Sequence, residues 1–188
     1  MDKERIAALV RELLHEIGED PEREGLLRTP QRIASALEFL TSGYGGDVEE
    51  LVHGAIFTQE TDNMVIARDI ELYSLCEHHM LPFFGRCHIG YIASGKVFGL
   101  SKLARLVDLY SHRLQIQERL TEQVAHGIMD AIHADGVGVI IEARHLCMMM
   151  RGVQKQNSMM VTSAVLGSFH DSAATRAEFL ALINRPHP

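Results

Sequence analysis

This 188-residue chain has no tryptophan, only 3 cysteines, and no apolar run approaching the length of a membrane span. Each shortage excludes something. Without roughly 20 consecutive apolar residues, the chain is not expected to cross a membrane. Three thiols, an odd number, argue against a disulfide scaffold and fit a reducing compartment. The charged start Met1-Asp2-Lys3-Glu4-Arg5 lacks the apolar stretch of a secretory signal, so a cytoplasmic location is expected. Positive charge is also in deficit: 18 Lys and Arg against 25 Asp and Glu leave a net charge of −7. Nucleic acid and anionic membrane are therefore not expected partners. A small phosphorylated ligand is still compatible, because only local clusters matter for it, and Lys102, Arg105, Arg151 and Lys155 are the cations to watch. Aromatic residues, at 6%, carry no functional signal, and there is no internal repeat or low-complexity tract.

What is present is ordinary for a folded protein. At 21.0 kDa, 46% hydrophobic and 23% charged, the chain can bury one sizeable core with a small extra subdomain. Ile6, Leu9, Val10, Leu13, Leu14 and Ile17 recur at three- and four-residue spacing, which predicts a helix with Asp2 as its cap and Gly18 as its stop. Thr29-Pro30 opens a second helix in cap-then-proline order, with Ile33, Leu37 and Leu40 as its apolar face and Gly43 as its end. Residues 1–57 thus read as an N-terminal helical unit.

From residue 64 the texture changes to strands: 64–70, then 72–75 running into Cys76, then 86–92 with Cys87, Ile89 and Tyr91 alternating against Arg86, His88 and Gly90. Cys87 reads as a sheet residue. Ser101 is placed to cap a helix carrying Leu103, Leu106, Val107 and Tyr110, and a longer helix is predicted over 117–133. A strand from Val137 continues through Cys147, another covers 161–166, and a closing helix spans 171–184. The order is that of an α+β domain with largely antiparallel pairing.

The most informative stretch is Cys76-Glu77-His78-His79, matched about seventy positions later by His145-Leu146-Cys147. Cys76, His79 and Cys147 are three zinc ligands of the right chemical type, and three protein ligands leave a tetrahedral zinc one open position. His78 and His145 would stand beside it as proton carriers. The spacing by itself is weak, since a Cys followed three positions on by a His arises by chance about 0.2 times in such a chain. The competing account makes Cys76 and Cys147 two small core residues. A structural zinc module is a third, but it needs a fourth protein ligand, from His78 or His145.

Several separated motifs resemble the GTP cyclohydrolase I family: Arg28-Thr29-Pro30-Gln31-Arg32-Ile33-Ala34, Ser74-Leu75-Cys76-Glu77-His78-His79-Met80-Leu81-Pro82-Phe83, and Gly99-Leu100-Ser101-Lys102-Leu103-Ala104-Arg105. Gln115-Ile116-Gln117-Glu118-Arg119-Leu120-Thr121, His145-Leu146-Cys147-Met148-Met149-Met150-Arg151-Gly152-Val153 and Val161-Thr162-Ser163-Ala164 follow in the family's order.

The resemblance implies a tunnelling fold (T-fold) over residues 58–188. It also implies a homodecamer of two stacked five-subunit rings with active sites between subunits, and one Zn2+ per subunit. The implied reaction is GTP plus water giving formate and dihydroneopterin triphosphate. Carried onto this chain, the family's pattern makes Cys76, His79 and Cys147 the metal ligands, and His145 the acid acting on the purine ring. It makes His78 the second proton carrier and places Ser101 near the ribose and phosphates. Glu118, with Gln117 beside it, falls on guanine, and Lys102, Arg105 and Arg151, with Arg32 as a weaker fourth, on the triphosphate.

Alone, Glu118 would read as a charged residue opening a helix, where the helix dipole favours it. Met148-Met149-Met150 reads as strand packing rather than a soft-metal site, and Ser35 stands where some members carry a lysine. A nitrile reductase of the same fold group, with a cysteine nucleophile and a nicotinamide cofactor, is the rival enzyme; it would have no use for the Cys-His-Cys set.

Overall fold

The computed structural model describes residues 1–186. The chain forms two compact units, the first ending at Ser42 and the second beginning at Gly43.

The first unit is a pair of helices, α1 (Lys3–Glu16) and α2 (Thr29–Leu40). Asp2 caps α1, its Oδ1 accepting from the Arg5 N–H at 2.9 Å and satisfying a donor that has no partner within the helix. Gly18, just past the helix, adopts φ +89°, a conformation that glycine reaches without a Cβ clash. Thr29 lies inside α2 instead of capping it. Pro30 takes over that role in the first turn, since its missing N–H removes one orphan donor. The predicted apolar faces are only partly covered. Val10, Leu14, Pro30 and Ala34 are buried, whereas Leu9, Leu13, Ile17 and Ile33 are exposed.

The second unit begins with α3 (Val48–Val52) and contains the strands β1 (Ile56–Thr58), β2 (Met64–Cys76), β3 (Pro82–Ile92) and β4 (Lys96–Phe98). Then come α4 (Leu100–Ser111), β5 (Leu114–Gln115), α5 (Gln117–Ile132), β6 (Gly136–His145), α6 (Leu146–Met149), β7 (Met160–Gly167), α7 (Ser168–Asp171) and α8 (Ala173–Ile183). Five strands form one sheet in the order β5-β2-β3-β6-β7, antiparallel throughout except for the short parallel β2–β5 pairing. β1 and β4 make a separate antiparallel pair. The architecture is α+β, as the order of elements predicts.

The period-two alternation of β3 and β6 builds the core. Cys87, Ile89 and Tyr91 join Val137, Val139 and Ile141 against Leu106 and Val107 of α4 and Leu120, Val124 and Ile128 of α5. Burying each aliphatic side chain contributes about 1.5–3 kcal/mol. Cys87 is a core residue: it is fully buried, and burial pushes its thiol far above the ordinary range, so it stays an inert thiol. On the opposite face, Phe169 and Phe179 lie over Gly90 and Gly138, where a Cβ at Gly138 would sit 2.5 Å from the Phe169 ring.

Residues 64–75, read as two strands, are one strand interrupted by a bulge. The register with β3 shifts between Ala67 and Ile70, and Asp69 has φ +58°. The Asp69 N–H donates to His88 Nδ1 at 3.2 Å, and Arg86 Nη1 pairs with Asp69 Oδ1 at 2.9 Å. Burial lowers the pKa of His88, with Asp69 and Glu142 opposing in part. A lowered folded-state pKa means the unfolded chain binds the proton first. The His88 contribution is therefore present above the unfolded value near 6.5 and is lost as pH falls through the folded value. Urea unfolding from pH 7.5 to 5 is expected to show a slope that His88→Gln reduces; identical slopes would place the titration elsewhere.

Three local expectations are corrected. Ser101 does not cap α4. Gly99 does, held extended by its N–H bond to Ala55 O at 2.9 Å. The strand through Cys147 ends at His145, and Cys147 sits in the single helical turn α6, with Met148 and Met150 exposed rather than packed in a strand. The closing helix is divided at Ser172, whose extended backbone and hydroxyl cap α8 by accepting from Thr175 N–H at 3.2 Å.

Candidate metal centre

The ends of two strands make the site. β2 delivers Cys76 to the mouth of the β2–β3 connection, and a turn closes there through Met80 N–H to Cys76 O at 2.8 Å. Met80 takes φ +53° to complete it. Two strands away, β6 ends at His145 opposite Phe83 of β3, and the turn of α6 swings Cys147 back toward the same place. As a result the ligand atoms of Cys76, His79 and Cys147 all lie within 4.8 Å of one another, with Cys76 buried, Cys147 partly buried and His79 exposed.

Two thiols and one imidazole are the donor set of zinc, and two soft ligands favour it over magnesium or calcium. The electrostatics agree. The Cys147 pKa is raised, first by burial and then by the Cys76 sulfur beside it, with Arg151 offsetting part. A thiol whose ionisation is opposed in this way is stabilised as the thiolate by a bound cation. The residues fit the metal.

Around the cluster, His78 Nδ1 lies 3.6 Å from Cys76 Sγ, and its ring stands edge-on to His79 at 6.2 Å. Arg151 Nη1 donates to His79 Nε2 at 3.0 Å. His145 packs its ring flat against Phe83, centroids 4.6 Å apart and planes within 8°, and its Nε2 meets Gln117 Oε1 at 2.8 Å. Burial lowers the His145 pKa, and Glu118 raises it in part, so the Glu118 carboxylate acts on the same ring.

The remaining candidates are placed differently. Ser101, Lys102 and Arg105 lie on the first turns of α4. Lys102 Nζ donates to Leu51 O at 2.6 Å, while the Ser101 and Arg105 side chains have no hydrogen-bonded partner among the described residues. Arg32 lies on α2 in the first unit and is exposed.

Two site residues had no sequence signal of their own. Phe83 is one, because its contact with His145 comes from strand register. Arg119 is the other. It bonds Glu77, Gln115 Oε1 (3.0 Å) and Leu114 O (3.1 Å), tying the turn that carries His78 and His79 to the start of α5. Arg119→Ala is expected to loosen that turn and weaken zinc retention by about tenfold, the lower range for outer-sphere support, in chelator competition. Unchanged retention would make the contact incidental.

Three N/S donors on an α+β scaffold could hold a metal ion, and three protein ligands are the number found in catalytic rather than structural zinc sites. Comparison with known proteins carries this further. The GTP cyclohydrolase I family model matches residues 6–184. A GTP cyclohydrolase 1 of Pseudomonas aeruginosa is 61% identical over 175 residues, 93% of this chain and 94% of that protein. The proteins of that name from Teredinibacter turnerae (61% over 178 residues, 95% and 97%) and Chromohalobacter salexigens (57% over 181 residues, 96% and 98%) match as fully. Among solved structures, the apo archaeosine synthase QueF-Like aligns with TM-score 0.47 and 17% identity over 55% of this chain and 93% of that one. The chain belongs to the GTP cyclohydrolase I family, is a hydrolase, and has that family's T-fold. No helix among the described residues is long and apolar enough to cross a membrane.

Proposed function

We propose that this protein is a zinc-dependent hydrolase that opens the purine ring of GTP at C8, releasing formate and forming 7,8-dihydroneopterin 3'-triphosphate. The observation that carries the reading is the convergence of Cys76, His79 and Cys147 to within 4.8 Å from two distant segments. These three residues would hold the metal. When bound, zinc supplies a Lewis acid able to bring the pKa of water from 15.7 to about 7.

The chain's own residues supply the rest. C8 is electron-rich and resists nucleophiles until the neighbouring ring nitrogen N7 is protonated. His145, half-buried and held between Phe83 and Gln117, is the group assigned to deliver that proton. Water then adds to C8, the C8–N9 bond opens, and hydrolysis of the formamide releases formate. His78, exposed beside Cys76, carries protons during these transfers and the later ribose rearrangement, in which Ser101 assists.

Glu118 suits guanine because a carboxylate accepts from both N1–H and the exocyclic amine, a pair that adenine lacks. A triphosphate needs several cations. Arg105 and Arg151, both exposed, are assigned to that work with Arg32 as a weaker fourth, and Lys102 would exchange its bond to Leu51 O for phosphate. Gln117 is part of the same site. A homodecamer with shared active sites, a cytoplasmic location and a place at the first step of tetrahydrofolate biosynthesis complete the proposal.

The test is formate release from GTP by purified protein, with and without a chelator, followed alongside pterin fluorescence. Formate and pterin, both lost with zinc, are the expected result. Well-folded, zinc-loaded protein releasing no formate would overturn it.

A further inference from the structure

Gln117 is a polar side chain only 1% exposed, and the hydrogens of its amide are fully committed. Its Nε2 has three acceptors within reach: Ile141 O at 2.9 Å, Met160 O at 3.0 Å and Thr162 Oγ1 at 3.1 Å. Two of these are backbone carbonyls, which can only accept. The third is turned into an acceptor by its neighbours. Thr121 Oγ1 spends its hydrogen on Gln117 O at 2.7 Å, so in the 2.7 Å pair of hydroxyls Thr162 is the donor and keeps a lone pair for the amide. Rotating the Gln117 amide by half a turn would point Oε1 at two carbonyl oxygens. The orientation is therefore fixed by the β6–β7 backbone, independently of His145.

Fixing the amide fixes the imidazole. Gln117 Oε1 faces His145 Nε2 at 2.8 Å, and an amide oxygen cannot donate, so Nε2 must carry hydrogen. In the neutral ring Nδ1 is then the bare nitrogen, and it has no hydrogen-bonded partner among the described residues. Phe83, stacked on the ring within 8° of parallel, opposes the ring flip that would bring Cε1 instead of Nε2 against Gln117 Oε1.

We infer that Gln117 is a positioning residue rather than a contact to the base. It holds His145 in the Nε2–H tautomer, so that Nδ1 alone exchanges protons with the substrate. This rests on the reading of His145 as the proton carrier. Both Nε2 hydrogens are committed and the side chain is only 1% exposed, so no amide donor of Gln117 is left for a ligand.

Nitrogen-15 NMR of histidine-labelled full-length protein distinguishes protonated from bare ring nitrogens, with His145 assigned by its loss in His145→Ala. In the wild type, zinc-loaded and zinc-free, a bare Nδ1 and protonated Nε2 are expected; a protonated Nδ1 with bare Nε2 overturns the inference. Gln117→Met, close in shape but unable to accept, should give a mixture of tautomers. It should also lower kcat about 10²-fold with KM for GTP nearly unchanged.

Gln117→Glu still accepts from Nε2–H although it cannot donate to the two carbonyls. It should restore the single tautomer and most of kcat. If Gln117 served only packing, Glu would be at least as damaging as Met, and if it contacted guanine, KM would rise in both; either result overturns the assignment. The tautomer readout needs no turnover, so a protein inactive on GTP would sink the proposed reaction while leaving this result standing.

Discussion

Cys147→Ala is expected to abolish zinc binding and formate release together. The substitution removes one of the three donors that converge among the described residues and leaves Cys76 and His79 as a two-ligand site, one short of the three protein ligands of catalytic zinc sites. The loss includes the several kcal/mol that a Lewis acid supplies to such a reaction, so turnover should fall by at least about 10³-fold. The fold should survive. Cys147 is only partly buried, in a single turn beyond the end of β6, and the core formed by β3, β6, α4 and α5 does not need metal to pack. Metal analysis, formate release and urea unfolding on one preparation check all three parts. An active, metal-loaded Cys147→Ala would remove Cys147 from the ligand set.

His145→Ala should separate the metal from the proton. Because His145 is assigned to acid catalysis and not to ligation, zinc content should stay near one per subunit. Formate release should drop by about 10²–10⁴-fold, the range for losing a positioned general acid. A side effect is predictable. Gln117 Oε1 loses its partner in a buried setting, which costs about 1–3 kcal/mol of stability unless water replaces the ring. A stable, zinc-loaded variant with full activity would reassign the acid role, with His78 next in line. Loss of zinc would instead mean that His145 is a ligand, the arrangement of a structural module.

The elements with strong periodicity were legible from the residues alone. α1, α4 and α5 each repeat an apolar residue at three- or four-residue spacing, and β3 and β6 alternate or run apolar, so each pattern has one physical solution. Elements stabilised by partners distant in sequence were not. β5 has two residues and exists only because β2 accepts it in parallel, and α6 is one turn wedged after β6, where the sequence reads as continued strand. The bulge at Asp69 was hidden for the same reason, since it takes His88, nineteen positions away, to satisfy its N–H.

By itself, then, the sequence determined the donor types, the α+β order and the family, because these depend on residue chemistry and local spacing. Only the tertiary structure decided which atoms meet. Strand register set Phe83 against His145, and three acceptors on β6 and β7 oriented one buried amide toward one imidazole nitrogen. Hydrogen bonds and ring contacts act over a few ångströms, and a linear chain does not record which of its distant residues folding will bring that close.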